Sequence, residues 1–273
     1  MDISLPYGQV TWPEPGIRCI LAPNPTPMTG RGTNTYILGT GKVAILDPGP
    51  DDPRHLAALT DALRDEEVSH ILLTHDHADH LALAHRLSDT VRAPICGLRT
   101  PQSTYEPDLH LADGDILGDA TWRVQAIHTP GHTDDHLCFG MGDICLTGDH
   151  VMGWATSAII APRGRVDAYV ASLKRLALTP WRRFLSAHGD PINQPAHRLD
   201  VLIRHRLARE RAILDVLTTG PKTQADIVAA LYTGLPEGLM RAATRNVEAH
   251  LLDLLRTRKA AFDDTGHYRT HAE

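Results

Sequence analysis

Cysteine is scarce in this sequence, and its few copies have no paired spacing. The chain has 273 residues, and its four cysteines are Cys19, Cys96, Cys138 and Cys145. A disulfide framework or a structural zinc site rich in cysteine would need closely spaced pairs. We therefore expect reduced cysteines, and the apolar surroundings of Cys138 and Cys145 predict that these two are buried in the core.

Long hydrophobic runs are also missing, although 42% of the residues are hydrophobic and 22% are charged. No stretch reaches the roughly 18 consecutive apolar residues of a membrane helix. The amino-terminal segment MDISLPYGQVTWPEPG has neither a basic start nor an apolar core, which argues against a secretory signal. These features predict a globular protein with no membrane partner and a cytoplasmic location.

Positive charge is in short supply as well. The formal net charge is -6 at pH 7, and residues 1–196 carry 15 basic and 23 acidic side chains against 12 and 10 in residues 197–273. Nucleic-acid binding relies on a cationic surface, because neutralising phosphates supplies most of the non-specific affinity. A small-molecule substrate is therefore favoured, and nucleic acid remains an unfavoured alternative.

Short apolar runs that end in glycine, proline or aspartate fill the first two thirds of the chain. They are typical of strands, and they are NTYILGTG, KVAILDPGP, HILLTHD, WRVQAIHTPG, HLCFGMGDICLTGD and RFLSAHGD. Between them, three segments with apolar residues three and four apart predict helices: DPRHLAALTDALRDE, DHLALAHRLSD and VDAYVASLKRLALT. This alternation indicates an α/β domain. The turn between HLCFG and ICLTG predicts an antiparallel hairpin, so the sheet is expected to be mixed.

The last quarter of the chain has helical patterns only, followed by one hairpin. The first helix has an apolar stripe made of Leu199, Leu202, Ile203, Leu207, Leu214 and Leu217. Thr223 and Asp226 resemble a capping box that begins a second helix. The third helix carries Leu239, Ala243, Val247, Leu251, Leu254 and Leu255, and KAAFDDTGHYRT predicts the hairpin. We predict a winged-helix-like domain over residues 197–273, after an α/β domain over residues 1–196.

The segment THDHADH, residues 74–80, places His75, His77, Asp79 and His80 directly after the apolar run HILL. Imidazole nitrogens and carboxylate oxygens at a rigid strand end are typical metal ligands. Alternate residues of an extended chain point the same way, so His75 and His77 can serve one metal position while Asp79 and His80 serve a second. The alternative is that Asp79 caps a helix beginning at His80.

Three more candidate ligands each follow a predicted strand: His132 in TPGHT, Asp149 in TGDH and His188 in SAHGD. Taken singly, each could be an ordinary loop or core residue. Their shared position after a strand is what favours a metal site.

This order of ligands, His-x-His-x-Asp-His followed by His, Asp and His, resembles the metallo-β-lactamase superfamily. GTNTYILGTG, HTPGHTDDHLC and SAHGDPI look like its lactamase-β-like-2 subgroup, whose members have a carboxy-terminal winged helix. The resemblance implies an αββα sandwich with the site at one edge of two facing sheets. It implies that His75, His77 and His132 hold the first metal, that Asp79, His80 and His188 hold the second, and that Asp149 bridges them.

The resemblance favours a metal-dependent hydrolase over other activities. A hydroxide held by two metals would attack a small thioester- or lactone-like substrate. An endoribonuclease is the alternative, and an iron-dependent dioxygenase or a true β-lactamase is less favoured. Enzymes of the superfamily that destroy β-lactams commonly lack the bridging aspartate or use cysteine as a ligand, and no ligand position here is a cysteine.

The remaining predictions concern individual roles and cofactors. Asp79 is the candidate catalytic residue, since a carboxylate bound through one oxygen keeps the other for proton transfer. Asp47, which ends the strand VAILD, is expected to support a ligand from behind, and a cap of the following turn is the alternative. Arg163, Arg165 and Tyr169 are candidates for the substrate entrance, and a solvated edge is the alternative. The default metal is zinc, two ions per chain, with manganese or iron as alternatives, and a homodimer is an allowed assembly.

Overall fold

The structure is a computed structural model that describes residues 7–234 and 237–271. The first six residues of the amino-terminal segment and the side chain of Leu239 lie outside the described part. The strands are β1 Val10–Glu14, β2 Ile17–Leu21, β3 Asn34–Leu38, β4 Lys42–Leu46, β5 Glu67–Leu72, β6 Ile95–Gly97, β7 Leu109–His110, β8 Ile116–Gly118, β9 Arg123–His128, β10 Leu137–Met141, β11 Ile144–Gly148, β12 Arg183–Ser186, β13 Ala260–Phe262 and β14 Tyr268–Thr270. The helices are α1 Pro53–Ala62, α2 Ala78–Leu81, α3 Ala84–Val91, α4 Val166–Leu176, α5 Pro195–Leu217, α6 Gln224–Leu231 and α7 Glu237–Arg256.

Two mixed sheets form the first compact unit, which comprises residues 7–129, 135–157 and 179–198. One has seven strands in the order β1-β2-β3-β4-β5-β6-β7, and the other has five in the order β12-β11-β10-β9-β8. In the second sheet β10 and β11 are antiparallel, with Met141 opposite Ile144, and β11 and β12 are parallel. The predicted hairpin and the predicted mixed sheet are confirmed.

Strands β3 and β4 are apolar on both faces because both faces are covered. Tyr36 and Leu46 belong to a core shared with Phe139 and Leu146 of the second sheet. The alternate residues Ile37, Val43 and Ile45 belong to another core, shared with helices α1 and α3. Such double burial holds the ends of these strands firmly, and the candidate ligands follow strand ends.

The helix predicted over DHLALAHRLSD is divided into α2 and α3, so that prediction is wrong in its continuity. Gly49, in the loop after β4, forms hydrogen bonds with backbone groups of His80 and Leu83. The N–H of Gly49 donates to the carbonyl of His80 at 3.1 Å, and the carbonyl of Gly49 accepts the N–H of Leu83 at 3.0 Å. A continuous helix would use those groups internally.

A second compact unit comprises, among the described residues, 130–134, 158–178, 199–234 and 237–271. Its carboxy-terminal part has three helices and a hairpin, in which Ala260 pairs with Thr270. Side chains of Thr223 and Asp226 form the predicted capping box at the start of α6. Ile213, Ile227, Val247 and other apolar residues of this part share one core. The winged-helix prediction is confirmed in its elements, and the boundary after residue 196 stays a prediction.

The buried stripe of α5 differs from the predicted one. Leu202 and Leu217 are buried, but Leu207 is 46% exposed and Arg206 is 1% exposed. The guanidinium of Arg206 lies over the ring of Tyr169, 5.2 Å from its centroid, and a cation on an aromatic face is a favourable buried contact. A search for apolar residues alone could not find this arginine.

The four cysteines are buried and carry free thiols, as expected. Within residues 7–234 and 237–271, none of the helices has the length and apolar character needed to cross a membrane.

Candidate metal centre

The carboxylate of Asp47 holds the loop after β5 through hydrogen bonds to Thr74 and His80. Asp47 follows the neighbouring parallel strand β4 and has a φ of 50°, an unusual value for a residue other than glycine. Its Oδ1 accepts the backbone N–H of Thr74 at 2.8 Å, and its Oδ2 accepts the Thr74 hydroxyl at 2.8 Å and Nδ1 of His80 at 2.9 Å. Since a carboxylate only accepts, Nδ1 of His80 carries a proton, and its Nε2 is the nitrogen that faces the carboxylates of Asp79 and Asp149.

His80 belongs to a group of four side chains that the structure brings together. Ligand atoms of Asp79, His80, Asp149 and His188 all lie within 4.8 Å of one another. Nε2 of His188 is 3.1 Å from Asp149 Oδ1 and 3.3 Å from Asp79 Oδ2. Nε2 of His80 is 3.5 Å and 3.6 Å from the same two oxygens. The four residues follow three different strands, which supports the prediction that strand ends carry this site.

A second group contains His75, His77, His132 and Asp149, again with ligand atoms within 4.8 Å of one another. Asp149 is therefore common to both groups. The Nδ1–H of His75 donates a hydrogen bond to the Thr74 hydroxyl oxygen at 3.0 Å, because the hydroxyl itself donates to Asp47. All seven predicted ligands fall into the two groups. Their role as ligands stays a prediction.

The buried imidazoles of the two groups, those of His75, His80, His132 and His188, are each oriented by a hydrogen bond from Nδ1. His188 donates to the carbonyl of Gly32 at 3.0 Å, and His132 donates to the carbonyl of Ala158 at 2.6 Å. Metal-binding histidines are usually fixed in this way, which leaves the other nitrogen for the cation.

The charges in the centre are strongly coupled. Burial alone would lower the pKa of His188, but Asp149 and Asp79 outweigh it and raise the pKa to about 9. Burial alone would raise the pKa of Asp79, but His80 and His188 lower it to about 2. The same neighbours hold the pKa of Asp149 well below its usual value. Both carboxylates are thus ionised, as metal ligands must be.

The donor set fits a pair of divalent cations. Nε2 of His80 is buried and makes no hydrogen bond within the described part of the chain, although it faces two carboxylate oxygens. A bare imidazole nitrogen in this position has the chemistry of a metal ligand. Five imidazoles and two carboxylates suit zinc, manganese or iron.

Asp76 and Asp79 lie in the same segment but differ in their contacts. Asp76, which lies inside the cluster, accepts the backbone N–H and the hydroxyl of Thr104 at 2.6 Å and 3.0 Å. Helix α2 begins at Ala78, with His77 as its N-cap, so Asp79 does not cap it. Asp76 therefore anchors the 100–104 loop, and Asp79 is left for the centre.

His136 supports Asp149 through the backbone of that residue. Its Nε2 accepts the backbone N–H of Asp149 at 3.3 Å, and its Nδ1 is 3.0 Å from the Thr129 hydroxyl. Gly148 has a φ of 49°, and a Cβ there would lie 2.7 Å from Nε2 of His136. Only glycine lets the chain turn this closely past the imidazole.

The prediction that Tyr169 lines the substrate entrance is wrong, because its side chain is fully buried. Arg163 bonds to Asp134 at 2.7 Å, and Arg165 to Asp167 at 3.0 Å. In the same stretch of the chain, Trp154 does reach the surface and is 49% exposed. Its Nε1 donates to the carbonyl of His188 at 3.3 Å.

Sequence reasoning missed several supporting groups. Thr74 links Asp47 to His75, and the Asn34 side chain donates to the carbonyls of Ser186 and Gly189 at 3.0 Å and 2.9 Å, on either side of His188. The position of Thr74, directly before His75, is a signal that could have identified it. The carbonyls of Gly32 and Ala158 leave no such signal, since every residue has one.

Comparisons with known proteins agree with this geometry. Residues 28–188 match the metallo-beta-lactamase superfamily, and residues 223–268 match the beta-lactamase associated winged helix domain. The Beta-lactamase-like protein 2 homolog of Drosophila melanogaster is 34% identical over 270 residues, which cover 90% of this chain and 91% of that protein. An atrochrysone carboxyl ACP thioesterase of Cryptosporiopsis sp. (strain 8999) is 32% identical over 219 residues, covering 78% of this chain and 66% of that protein.

Among solved structures, a metallo-beta-lactamase family protein from Thermus thermophilus superimposes with a TM-score of 0.77 at 25% identity. The match covers 94% of this chain and 99% of that one. Fold and site together define a metallo-hydrolase. The chain belongs to the metallo-beta-lactamase superfamily, with a mixed α/β fold and a carboxy-terminal winged helix. The resemblance and the fold class predicted from the sequence are confirmed.

Proposed function

We propose that the protein hydrolyses a small thioester- or lactone-like substrate at a centre of two metal ions. The observation that carries this proposal is the pair of four-residue ligand groups that share Asp149. A structural zinc site is usually closed by four ligands rich in cysteine. Two adjoining groups of histidine and aspartate instead resemble centres that activate water.

We assign His75, His77 and His132 to the first metal, Asp79, His80 and His188 to the second, and Asp149 to both. Two zinc ions per chain are our default, and manganese or iron would accept the same ligands. We assign this chemistry to residues 1–196 and treat residues 197–273 as the winged-helix domain.

Two divalent cations held here would acidify a water molecule and stabilise the charge that develops on a carbonyl oxygen. Asp79 is the candidate for moving the proton. Its side chain is 27% exposed against 11% for Asp149, and its Oδ2 is the oxygen that faces His80 and His188. This leaves Oδ1 to receive the proton of the attacking water and pass it to the leaving group.

Trp154 supplies an apolar surface beside the second ligand group. Its ring packs so closely on two glycines that a Cβ at Gly30 or Gly189 would lie 3.2 Å or 2.6 Å from it. The half-exposed indole lies next to the carbonyl of His188. Such a wall suits the apolar part of an acyl group.

The relative named a thioesterase favours an acyl substrate. The net charge of -6 argues against RNA, since a polyanion gains affinity from cationic surface. Arg245 of α7 is paired with Glu248 at 2.8 Å, so its charge is already partly neutralised. An endoribonuclease is therefore the weaker alternative.

The test is a turnover panel with zinc-loaded protein and two isosteric variants from the same loop. Asp79→Asn removes the proposed proton carrier, whereas Asp76→Asn removes a carboxylate that bonds to Thr104. Substrates are acyl thioesters, lactones, a cephalosporin and single-stranded RNA. We expect thioester or lactone turnover that falls about 100-fold or more in Asp79→Asn and within a few-fold of wild type in Asp76→Asn.

Cleavage of RNA by the wild type, lost in Asp79→Asn and unaccompanied by thioester or lactone turnover, would overturn the proposed substrate class. Equal turnover in wild type and Asp79→Asn would overturn the role of Asp79.

A further inference from the structure

The loop that carries His132 belongs to the same compact unit as the winged helix, which lies far along the sequence. Residues 130–134 and 158–178 fall within the match to the metallo-beta-lactamase superfamily, which spans residues 28–188. By their packing, however, both segments belong to the compact unit of the winged helix. We name residues 199–271 the C-terminal module. The question is what this module does for His132.

Hydrogen bonds at Pro130, Gly131 and His132 attach the His132 loop to residues 158–178, in addition to the bond between Arg163 and Asp134. Nδ1 of His132 donates to the carbonyl of Ala158 at 2.6 Å. The N–H of Arg165 donates to the carbonyl of Gly131 at 2.9 Å, and the hydroxyl of Ser172 donates to the carbonyl of Pro130 at 2.8 Å. Backbone and imidazole are therefore both oriented by α4 and the segment before it.

The approach of loop to helix is as close as a backbone allows. Gly131 has a φ of 142°, and a Cβ at this position would lie 2.3 Å from Cα of Tyr169. Any displacement of α4 at Tyr169 is thus passed directly to the residue before His132, because no side chain lies between them to absorb it.

Helix α4 depends on the C-terminal module for its N-terminal cap. The N-cap residue, Arg165, makes no capping hydrogen bond with its own side chain. Oδ2 of Asp253 in α7 accepts the N–H of Asp167 at 2.6 Å instead. Arg256, one turn further along α7, forms an ion pair with the Asp167 carboxylate. A carboxylate at this position satisfies an otherwise open N–H and stabilises the first turn.

A second contact holds the middle of α4. Arg206 of α5 is 1% exposed and lies over the ring of Tyr169. Tyr169 is the residue whose backbone faces Gly131. The C-terminal module thus contacts α4 in its first turn and at Tyr169, two of the places where α4 contacts the His132 loop.

We propose that the C-terminal module positions His132, with Asp253 as the key positioning residue. Asp253 fixes the first turn of α4, and Arg165 at the start of that turn fixes Gly131. The module therefore sets how well the first metal is held. This inference rests on the proposed function in taking His132 as a metal ligand.

The test is metal binding by the full-length chain, measured without substrate. Metal-free protein is titrated with cobalt(II), following its visible absorption bands, and zinc affinity is obtained by competition with a chelator. Asp253→Ala removes the cap. Asp253→Asn keeps an acceptor oxygen. Asp226→Ala is the matched control. It removes part of the capping box of α6, in the same module, and leaves α4 unchanged. His132→Ala is the reference for loss of the ligand.

We expect Asp253→Ala to weaken the first of the two metal positions about 10-fold or more, as loss of ligand support commonly does. The cobalt spectrum should change in the same bands that His132→Ala removes. Asp253→Asn should restore most of the affinity, and Asp226→Ala should bind both metals like wild type despite a lower unfolding temperature.

The inference is overturned if Asp253→Ala binds both metals like wild type while His132→Ala does not. It is also overturned if Asp226→Ala weakens binding as much as Asp253→Ala, since the effect would then follow general stability. If His132→Ala itself binds both metals normally, His132 is not a ligand, and the assignment of metals under the proposed function fails too.

Discussion

His80 and His132 are both oriented through Nδ1, yet their supports are of different kinds. His80 donates to the carboxylate of Asp47, which follows a strand buried on both faces. His132 donates to the carbonyl of Ala158, in a segment without regular structure, and the loop of His132 is held by Arg165 and Ser172 at α4. A strand end needs little help to hold a ligand. A loop needs support from elsewhere in the chain, and here the C-terminal module provides it.

The largest effect is expected from loss of Asp149, the residue common to both ligand groups. We expect Asp149→Ala to bind neither metal tightly and to lower turnover more than about 1,000-fold, equivalent to about 4 kcal/mol of transition-state stabilisation. Metal content and turnover measure this. Asp143→Ala, in the turn of the neighbouring hairpin, removes only an exposed pair with Arg182 and should keep both metals. Full metal content in Asp149→Ala would contradict the bridging assignment.

The two compact units can also be compared by how their stability changes at low pH. Each contains a buried histidine with a pKa lowered chiefly by burial, to about 4 for His55 and about 3 for His250. An unfolded chain binds this proton near pH 6.5, whereas the folded chain does not, so the free energy of unfolding falls as the pH drops from 6.5 to about 4. His55→Gln should remove up to about 3 kcal/mol of that fall.

Urea unfolding at pH 7 and pH 4.5 measures the effect. His85, exposed on α3, provides the control variant His85→Gln, which should leave the pH dependence unchanged. The same pH dependence in wild type and His55→Gln would show that His55 is protonated in the folded protein, against its lowered pKa.

Removing the charge of Asp47 tests the support of His80 separately from the support of His132. Asp47→Asn removes the charge that orients His80 and the Thr74 hydroxyl, and we expect zinc affinity to fall about 10- to 100-fold. Competition with a chelator measures this. The loss should fall on the metal held by His80, whereas that of Asp253→Ala should fall on the metal held by His132. Unchanged zinc affinity in Asp47→Asn would mean that the sheet alone fixes His80.

The smallest expected effect concerns the wall beside the second ligand group. Trp154→Ala removes the exposed indole, and we expect KM for an apolar thioester to rise about 10-fold, a loss of about 1.4 kcal/mol, with metal content unchanged. Trp154→Phe keeps the ring and should lie close to wild type. Steady-state kinetics with short and long acyl chains decide this, and an unchanged KM for every acyl chain would place substrate binding elsewhere.

Much of the fold could be predicted because its central strands carry long apolar runs. Strands β3, β4 and β9 to β12 fall within predicted segments, and β5 overlaps one from His70 onwards but begins three residues earlier, at Glu67. Strand β1 was missed because it is partly exposed and contains Pro13, and β7 has only two residues, both exposed. Short edge strands are defined by their hydrogen bonds to neighbours, which leave little pattern in the sequence.

The site divides in the same way. The seven candidate ligands, which the structure brings together, could be selected from the sequence because metal binding restricts a position to a few residue types. Asp47 could be selected from its place at a strand end. The carbonyl of Ala158 and the carboxylate of Asp253 could not, since one is present in every residue and the other lies 86 residues from its partner Asp167. Arg206 was hidden for another reason, because a buried cation interrupts the apolar stripe that marks a helix face.

The most direct measurement for the central claim is the metal content of the purified chain after loading with excess zinc and removal of the unbound ion. Elemental analysis should find two zinc ions per chain in wild type and about one in His80→Ala and in His132→Ala. A wild-type content of one metal per chain, above all a single iron accompanied by oxygen uptake, would contradict the two-metal centre and the hydrolase mechanism built on it.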